Sequence, residues 1–433
     1  MERSADVVVV GGGISGCAIA YNLAKRGQKV VLLEKDDIAF EASGRTVAAV
    51  GLLGKQEGEF LLAQESLKLY DRLKEELSYD VEFIKGGRLV AAEDYEDIIL
   101  FEEMVAAAEE AGVELEVLGQ EEVRRRFPYV EGPFHAIAYS ADEGHVNPVR
   151  VVNGFARAAR EYGANIYPGC LVTDIGVTGG IVTSVETSRG EIKTDVVVNA
   201  AGVWASRLAD RMGMHIPIQI IRLAQGETEP VGPIFEPFIR SATYCTRQTA
   251  SGTVRVSNGY RDQAVYHDLS FHDFRDLRVW LPRLVKQRKT ISFRLDLDLL
   301  KHDIRAFLAS MRRRRHSRVA PVGLEAKPAL RKVRKQLARA ARLVPKLEGL
   351  SIRDHWAGFI DMTPDLLPVI GPVEEPKGLY LAMGFSGHGF ALGPIVGKLM
   401  AELIIDGKTS APINPFRMER FAEGKVQMPS RLM

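Results

Sequence analysis

The chain is 433 residues long and 46% hydrophobic, with 57 basic against 56 acidic side chains and a net charge of +1. A chain of this size buries a large core and predicts two intimately joined domains. Its three cysteines, Cys17, Cys170 and Cys245, are widely spaced and match no zinc or Cys-x-x-Cys pattern, so they read as buried thiols in a reducing compartment and no metal site is expected.

The first predicted element is a buried strand ending at Val10, followed by Gly11-Gly-Gly13-Ile-Ser-Gly16, a helix from Ile14, and a second strand, Lys29-Val-Val-Leu-Leu33, ending at Glu34. Together these form a dinucleotide-binding βαβ unit. Gly11 permits the tight turn, Gly13 lets the backbone approach a pyrophosphate, and Gly16 lets helix pack on strand. The free N–H groups and positive dipole end of the helix, at Ile14 and Ser15, face the phosphates. Glu34, with Lys35 beside it, is placed to accept hydrogen bonds from ribose hydroxyls, and its charge repels a ribose 2′-phosphate, which argues against NADP. A glycine-rich turn in some other α/β fold is the bland alternative, and the register of strand, glycines, helix and acid weighs against it. Because the N-terminus enters a core strand by Asp6, no cleaved signal peptide is expected, and no apolar run is long enough for a membrane span.

Next comes Glu41-Ala-Ser43-Gly44-Arg45-Thr46, a loop returning past the pyrophosphate. Its hydroxyl and guanidinium suit phosphate and ring contacts, and equally suit an ordinary polar loop. Periodicity predicts a helix over 59–79, strands over 81–84 and 88–92, helices over 94–111 and 121–126, a strand over 136–140 and a helix from Pro148 to about Tyr162. A strand at 164–167 re-enters the nucleotide domain, and hairpin-like strands follow at 171–177, 181–187 and 192–194. The buried strand Asp195-Val-Val-Val-Asn199 ends in Ala200-Ala201-Gly202, small residues that let the backbone reach the cofactor from its other side. Strands at 216–228, 241–248 and 253–257 build a second sheet. Pieces of the nucleotide motif recur at the start, middle and end of the chain, so that domain is expected to be discontinuous.

Residues 271–345 carry 21 Lys/Arg against six acids, a charge of +15 that leaves −14 for the remainder. Apolar residues recur at helical spacing (Leu277, Trp280, Leu281 and Leu284, then Leu299, Ile304, Phe307 and Leu308), so the segment reads as a helical insertion with a basic outer face. It is either a solvated decoration or a docking surface for an acidic partner subunit or anionic lipid headgroups. Nucleic acid is not expected, since no recognisable nucleic-acid module is present. The last motif, Gly384-Phe-Ser-Gly387-His388-Gly389-Phe390, follows a strand and leads into a helix whose N–H groups point at whatever lies in the turn. For a flavin that is the N1/C2=O edge, where a helix end favours the reduced anion by about 1 kcal/mol, and ~2 when partly buried.

These blocks together resemble the FAD-dependent amine and amino-acid oxidoreductases related to D-amino-acid oxidase, glycine oxidase and sarcosine oxidase. The marks are the N-terminal fingerprint with Glu34, Ala42-Ser-Gly-Arg45, Gly144-His-Val-Asn-Pro148, Asn199-Ala-Ala-Gly-Val-Trp204, His355-Trp-Ala-Gly358-Phe-Ile-Asp-Met-Thr-Pro-Asp365 and Gly384-Phe-Ser-Gly-His-Gly-Phe390. The resemblance, which spans nearly the whole chain outside 271–345, implies an α/β fold: a Rossmann-like FAD-binding domain (1–80, 149–215 and 346–433) and an interleaved mixed-sheet substrate domain (81–148 and 216–270), to which the basic helical insertion (271–345) is added. It implies FAD, hydride transfer from a carbon bearing nitrogen to flavin N5, and an imine that hydrolyses. Val172 would lie along the adenine, and Ala201, Gly202, Gly358, Gly387, His388, Gly389 and Phe390 around the remaining cofactor. Where glycine oxidase-like members place a substrate-binding arginine after Trp-Ala-Gly-x, this chain has Ile360. No cysteine lies beyond Cys245 for a thioether to FAD, and His145 is out of register with the covalent FMN histidine of some heteromeric relatives, so noncovalent FAD is expected.

Three residues are candidates for the chemistry: Tyr244 and Arg247 on a substrate-domain strand, and His388 in the C-terminal turn. Alternation puts Tyr244 and Arg247 on opposite faces, so at most one faces the flavin. Each has a plain structural reading as well, and Asp361 and Asp365 read as caps rather than bases. The leading expectation is a cytoplasmic flavoprotein, peripheral to the inner membrane face at most, oxidising a small amino acid or secondary amine. A second nucleotide fingerprint is absent, so electrons pass to O2, a quinone or a partner redox subunit in an oligomer. The rivals are a flavin dehydrogenase for a 2-hydroxy acid or glycerol phosphate, and a non-catalytic FAD-bound subunit.

Overall fold

Strands Val7–Val10 and Val30–Leu33 are apolar at every position and buried on both faces, as interior strands of a parallel sheet must be. The computed structural model describes residues 1–259, 329–424 and Val426. Within 260–328 it describes the strands Val265–Leu269 and Ile291–Leu295 and a few separate residues, Asp276 and Trp280 among them.

The first sheet has six strands in the order Val369–Pro372, Leu379–Met383, Val197–Asn199, Val7–Val10, Val30–Leu33 and Asn165–Tyr167. Every neighbouring pair is parallel except the first. Val7, Val9 and Leu32 point to one face and pack under the helices Ile14–Lys25, Pro148–Glu161 and Gly389–Asp406, against Ile19, Phe155 and Leu399. Val8, Val10 and Val31 point to the other, where an antiparallel sheet of Val172–Thr178, Ile181–Thr187 and Gly190–Lys193 supplies Ile175, Val182 and Ile192. Each such side chain contributes roughly 2 kcal/mol by leaving water. The three layers and the strand order are those of a Rossmann-like nucleotide-binding unit assembled from separated parts of the chain.

The second sheet runs Ile291–Leu295, Val265–Leu269, Gln219–Thr228, Val254–Asn258, Tyr244–Gln248, Phe238–Ser241, Arg88–Ala92, Ala136–Ser140 and Glu116–Leu118, and Ile352–Met362 pairs along the other edge of Gln219–Thr228. Cross-strand register puts Trp356, Gln225, Ser257, Cys245 and Arg240 on one face. The opposite face carries Leu89, Ile137, Ala224, Val254 and Val256, which pack under the helix Leu330–Leu343.

Five expectations change here. Ile352–Met362 falls within the span assigned to the nucleotide domain but belongs to the second sheet, because its pairing with Gln219–Thr228 runs its full length. In the basic segment, 291–295 is a strand beside Val265–Leu269, not a helix. Its helix Leu330–Leu343 is no detachable decoration: Val333, Leu337, Ala340 and Leu343 recur at helical spacing and are buried against the sheet, while Arg331, Arg334 and Lys335 face outward. Most of the other helical positions expected in 271–328, Leu277, Leu284, Leu299, Phe307 and Leu308 among them, lie outside the described residues. The helix expected over 59–79 is interrupted at Asp71 and Arg72, giving Phe60–Tyr70 and Leu73–Glu76, and 81–84 makes only the bridge from Ile84 to His145.

Candidate active site

Two glycine turns meet at the carboxyl ends of the central strands. In the first, Gly11 has φ +113°, and a Cβ there would lie 2.3 Å from the Ala200 carbonyl oxygen. A Cβ on Gly16 would lie 2.0 Å from the Gly11 carbonyl oxygen, so strand and helix come this close only because both residues are glycine. Gly13 faces Ser43, whose Oγ accepts the Ile14 N–H at 3.0 Å. Ser15 is buried behind it. The return loop therefore caps the helix with a hydroxyl 29 residues away in sequence.

Glu34 accepts the Gly12 N–H at 2.7 Å and the Asp36 N–H at 2.8 Å. Burial raises its pKa, and those two N–H groups and the Lys35 charge oppose the rise. Each oxygen keeps a lone pair for a ribose hydroxyl. The Cys170 N–H donates to the Glu34 carbonyl, which brings the start of the Val172 strand alongside. Lys35 is turned away into ion pairs with Asp36 and Glu41.

Beyond Ser43, a Cβ on Gly44 would strike the Ala39 carbonyl oxygen. Arg45 donates from Nε to the Phe40 carbonyl and from Nη1 to the Ala357 carbonyl, and stacks on the Phe40 ring. Its guanidinium ties the return loop to the second sheet, where a Cβ on Gly358 would lie 3.2 Å from Arg45 Cβ. Thr46 Oγ1 accepts the Ala48 N–H. On the other side of the first turn, the Ala200 N–H donates to the Val10 carbonyl, and after Ala201 the turn Gly202–Trp204 has open space where Gly202 lacks a side chain.

The second turn is organised by Asp361, which accepts the Gly384 N–H on Oδ2 at 2.6 Å while its carbonyl accepts the Ser386 N–H. Burial pushes the Asp361 carboxyl up to about 6, against the Gly384, Asp361 and Phe385 N–H groups that lower it. Gly387 has φ +90°, and a Cβ there would meet only Ile360 Cδ1, at 3.7 Å. The helix Gly389–Asp406 starts immediately after His388. It lies flush on the Ile14–Lys25 helix: a Cβ on Gly389 would be 3.6 Å from Ile14 Cγ2, and one on Gly397 would overlap Ala18. Two positive helix ends thus open side by side, one suited to a diphosphate and the other to an electron-rich ring edge. Phe390 is buried at the base, and its carbonyl accepts the Tyr70 hydroxyl at 2.8 Å.

The inward face of the second sheet closes over this second turn. Trp356 Nε1 and Gln225 Oε1 are buried there without a hydrogen-bond partner, polar atoms that suit a bound group. The glycine cradle, the paired helix ends, Glu34 and these atoms fit an FAD. His388 is also buried, with Nδ1 2.8 Å from both oxygens of the wholly buried Glu59. Burial lowers the imidazole pKa, and Glu59 opposes that shift. The neutral ring donates from Nδ1, leaving Nε2 as an acceptor.

Tyr244 and Arg247 do lie on opposite faces of their strand, as alternation required, and of the two only Arg247 is on the face turned toward the glycine turns. Tyr244 packs under the Leu330–Leu343 helix, on the face turned away from the turns. Arg247 is on the inward face, yet its Nη1 donates to Nδ1 of the buried His145, whose Nε2 in turn donates to the Glu236 carbonyl. Loss of hydration brings Arg247 down to about 9 and His145 to about 3, so the imidazole is the neutral acceptor of a structural contact. Sequence reasoning missed the buried Glu59, Arg88 and Glu143 and the half-buried Lys55 and Arg240, an ionisable group adjoining His388. They are scattered over 55–240, and only the folded chain brings them together.

A family model described as FAD dependent oxidoreductase matches residues 6–403. Human mitochondrial sarcosine dehydrogenase is 26% identical over 438 residues, covering 99% of this chain, which spans 43% of that relative's length. Sarcosine oxidase subunit beta of an Arthrobacter species is 28% identical, over 98% of this chain and 93% of its own. Among solved structures, L-amino acid deaminase from Proteus vulgaris superposes with a TM-score of 0.86 over 97% of this chain and 98% of its own, at 24% identity, a likeness of fold.

Proposed function

The chain belongs to the FAD-dependent oxidoreductase family, and from that membership we propose that it oxidises a small amino acid or secondary amine to an imine, which hydrolyses. The enzyme uses FAD, which when bound accepts the hydride released from the carbon bearing nitrogen. The chain's own residues position and exclude. Gly11, Gly13, Gly16 and Ser43 hold the diphosphate at the Ile14 helix end, and Glu34 takes the ribose. Gly358, Gly387 and Gly389 leave room for the ring, and the sheet face from Trp356 to Ile360 shields it from water. His388 Nε2 is the acceptor available to the substrate amine, whose neutral form is the one that reacts. With the named relatives, the observation that carries this reading is the pair of glycine turns meeting at the carboxyl ends of the central strands, beside a neutral imidazole. Electrons then pass to O2, a quinone or a partner subunit, the last favoured by the match to a sarcosine oxidase subunit.

Anaerobic mixing of the FAD-loaded protein with sarcosine, glycine, proline, lactate and glycerol 3-phosphate tests this reading. Bleaching of the flavin band by one or more of the amines is the expected result. Bleaching by lactate or glycerol 3-phosphate alone would transfer the assignment to an alcohol dehydrogenase, and no bleaching by any compound would favour the non-catalytic subunit.

A further inference from the structure

His388 is pinned by a carboxylate at one ring nitrogen and left open at the other. Nδ1 lies 2.8 Å from both oxygens of Glu59, and both side chains are buried. Glu59 is fixed in its turn. It closes the short turn Glu57–Glu59, accepts the Gln56 N–H at 3.0 Å, and stands at the start of the helix Phe60–Tyr70, where the positive helix end suits a carboxylate. An ionised carboxylate only accepts, so the single N–H of a neutral imidazole sits on Nδ1. Nε2 keeps its lone pair and has no hydrogen-bond partner among the described residues.

The charges around the pair decide what it can do. Burial, Lys55 and Arg240 hold the ring neutral, and Glu59 opposes them. Arg88 and Glu143, which also face Lys55, pair with each other at 2.9 Å. On the other packed elements, the Tyr70 hydroxyl donates to the Phe390 carbonyl and the Asp361 carboxyl holds the Gly384 N–H. We propose that Glu59 makes His388 a redox-linked proton acceptor, neutral while the FAD is oxidised and protonated on Nε2 once the FAD is reduced. Reduction adds negative charge at the ring edge beside the helix end. A proton on the imidazole is then drawn by two anions, Glu59 and the reduced ring, against the same two cations. Glu59 is thus a positioning residue that acts through His388.

This inference rests on the proposed oxidation of an amino compound and says where the proton of a substrate ammonium goes. Nε2 takes it, and the N–H bonding pair stays on nitrogen as a lone pair. The carbon–hydrogen bond then breaks, its electron pair leaving with the hydrogen as hydride to FAD, while the nitrogen lone pair forms the C=N bond. The substrate loses one proton and one hydride and leaves as an iminium of unchanged charge. The positive charge gained by His388 offsets the negative charge gained by the flavin.

The test measures the midpoint potential of the FAD-loaded protein against reference dyes, with a chemical reductant in place of substrate. Its pH dependence counts protons: for a two-electron couple each proton contributes about 30 mV per pH unit. From pH 6.5, the ordinary imidazole value, to about pH 8 the unaltered protein should take up two protons, about 60 mV per pH unit. The reduced flavin should show the absorption of its anion throughout, so that the second proton is not on the ring. Glu59→Gln, which keeps an oxygen for Nδ1 but no charge, and His388→Gln should each take up one proton. One proton in the unaltered protein, a neutral reduced ring, or two protons in either variant overturns the inference. Should Glu59→Gln fail to load FAD, His388→Gln decides, and should both fail, the unaltered protein decides alone. Two protons with no reduction by any amino compound would sink the proposed reaction but not the proton site, and the reverse outcome would sink only the site.

Discussion

Asp361 shows how one side chain shapes a turn at a thermodynamic cost. It holds the Gly384 and Ser386 N–H groups from opposite ends of its residue, so the C-terminal bend inherits its position from the second sheet. Its carboxyl keeps a proton up to about pH 6, against an ordinary value of 3.8. A folded pKa raised above the unfolded one favours folding at low pH, and that advantage is lost as pH rises from about 4 to 6. Asp361→Asn keeps an oxygen for the Gly384 N–H and cannot ionise. The variant should therefore gain on the parent by roughly 3 kcal/mol across that interval and run parallel to it above pH 6. Unfolding midpoints measured from pH 4 to pH 7 check this, and parallel curves throughout would refute it. Arg247 and His145 make the complementary case: a guanidinium read from sequence as a candidate for the chemistry has a buried imidazole as its partner.

At the scale of elements, helices are set by what they lie against. Gly393 and Gly397 let the Gly389–Asp406 helix touch Ile14 and Ala18 directly, and this contact aligns the two helix ends that frame the site. The Leu330–Leu343 helix was read from its charge as part of an appendage, yet its apolar stripe closes the outer face of the substrate sheet. Leu337→Ala should thus cost about 3 kcal/mol, a core-like penalty, and lower the melting temperature by a few degrees. A detachable surface helix would give a change within about 0.5 kcal/mol, so a thermal melt separates the two. The basic stripe of Arg331, Arg334 and Lys335 remains outward and available to an acidic partner.

For the molecule as a whole, we propose that the FAD is held without a covalent bond. The three cysteines, Cys17, Cys170 and Cys245, are all buried, and His145 is engaged by Arg247 and Glu236. Trichloroacetic acid should therefore release all the yellow colour into the supernatant, and flavin left in the protein pellet would contradict noncovalent binding. No helix among the described residues is long and apolar enough to cross a membrane. What the sequence by itself determined is the nucleotide-binding frame: Gly11, Gly13, Gly16, Glu34 and Ser43 act through backbone conformation and near-neighbour contacts, which leave a mark in residue type and spacing. Only the tertiary structure decided the ionisable group beside the second turn, where Lys55, Glu59, Arg88, Glu143, Arg240 and His388 converge from five stretches of chain. The reason is physical. The worth of a buried charge depends on which other charges surround it, and long-range packing sets those distances without leaving a periodic trace in the sequence.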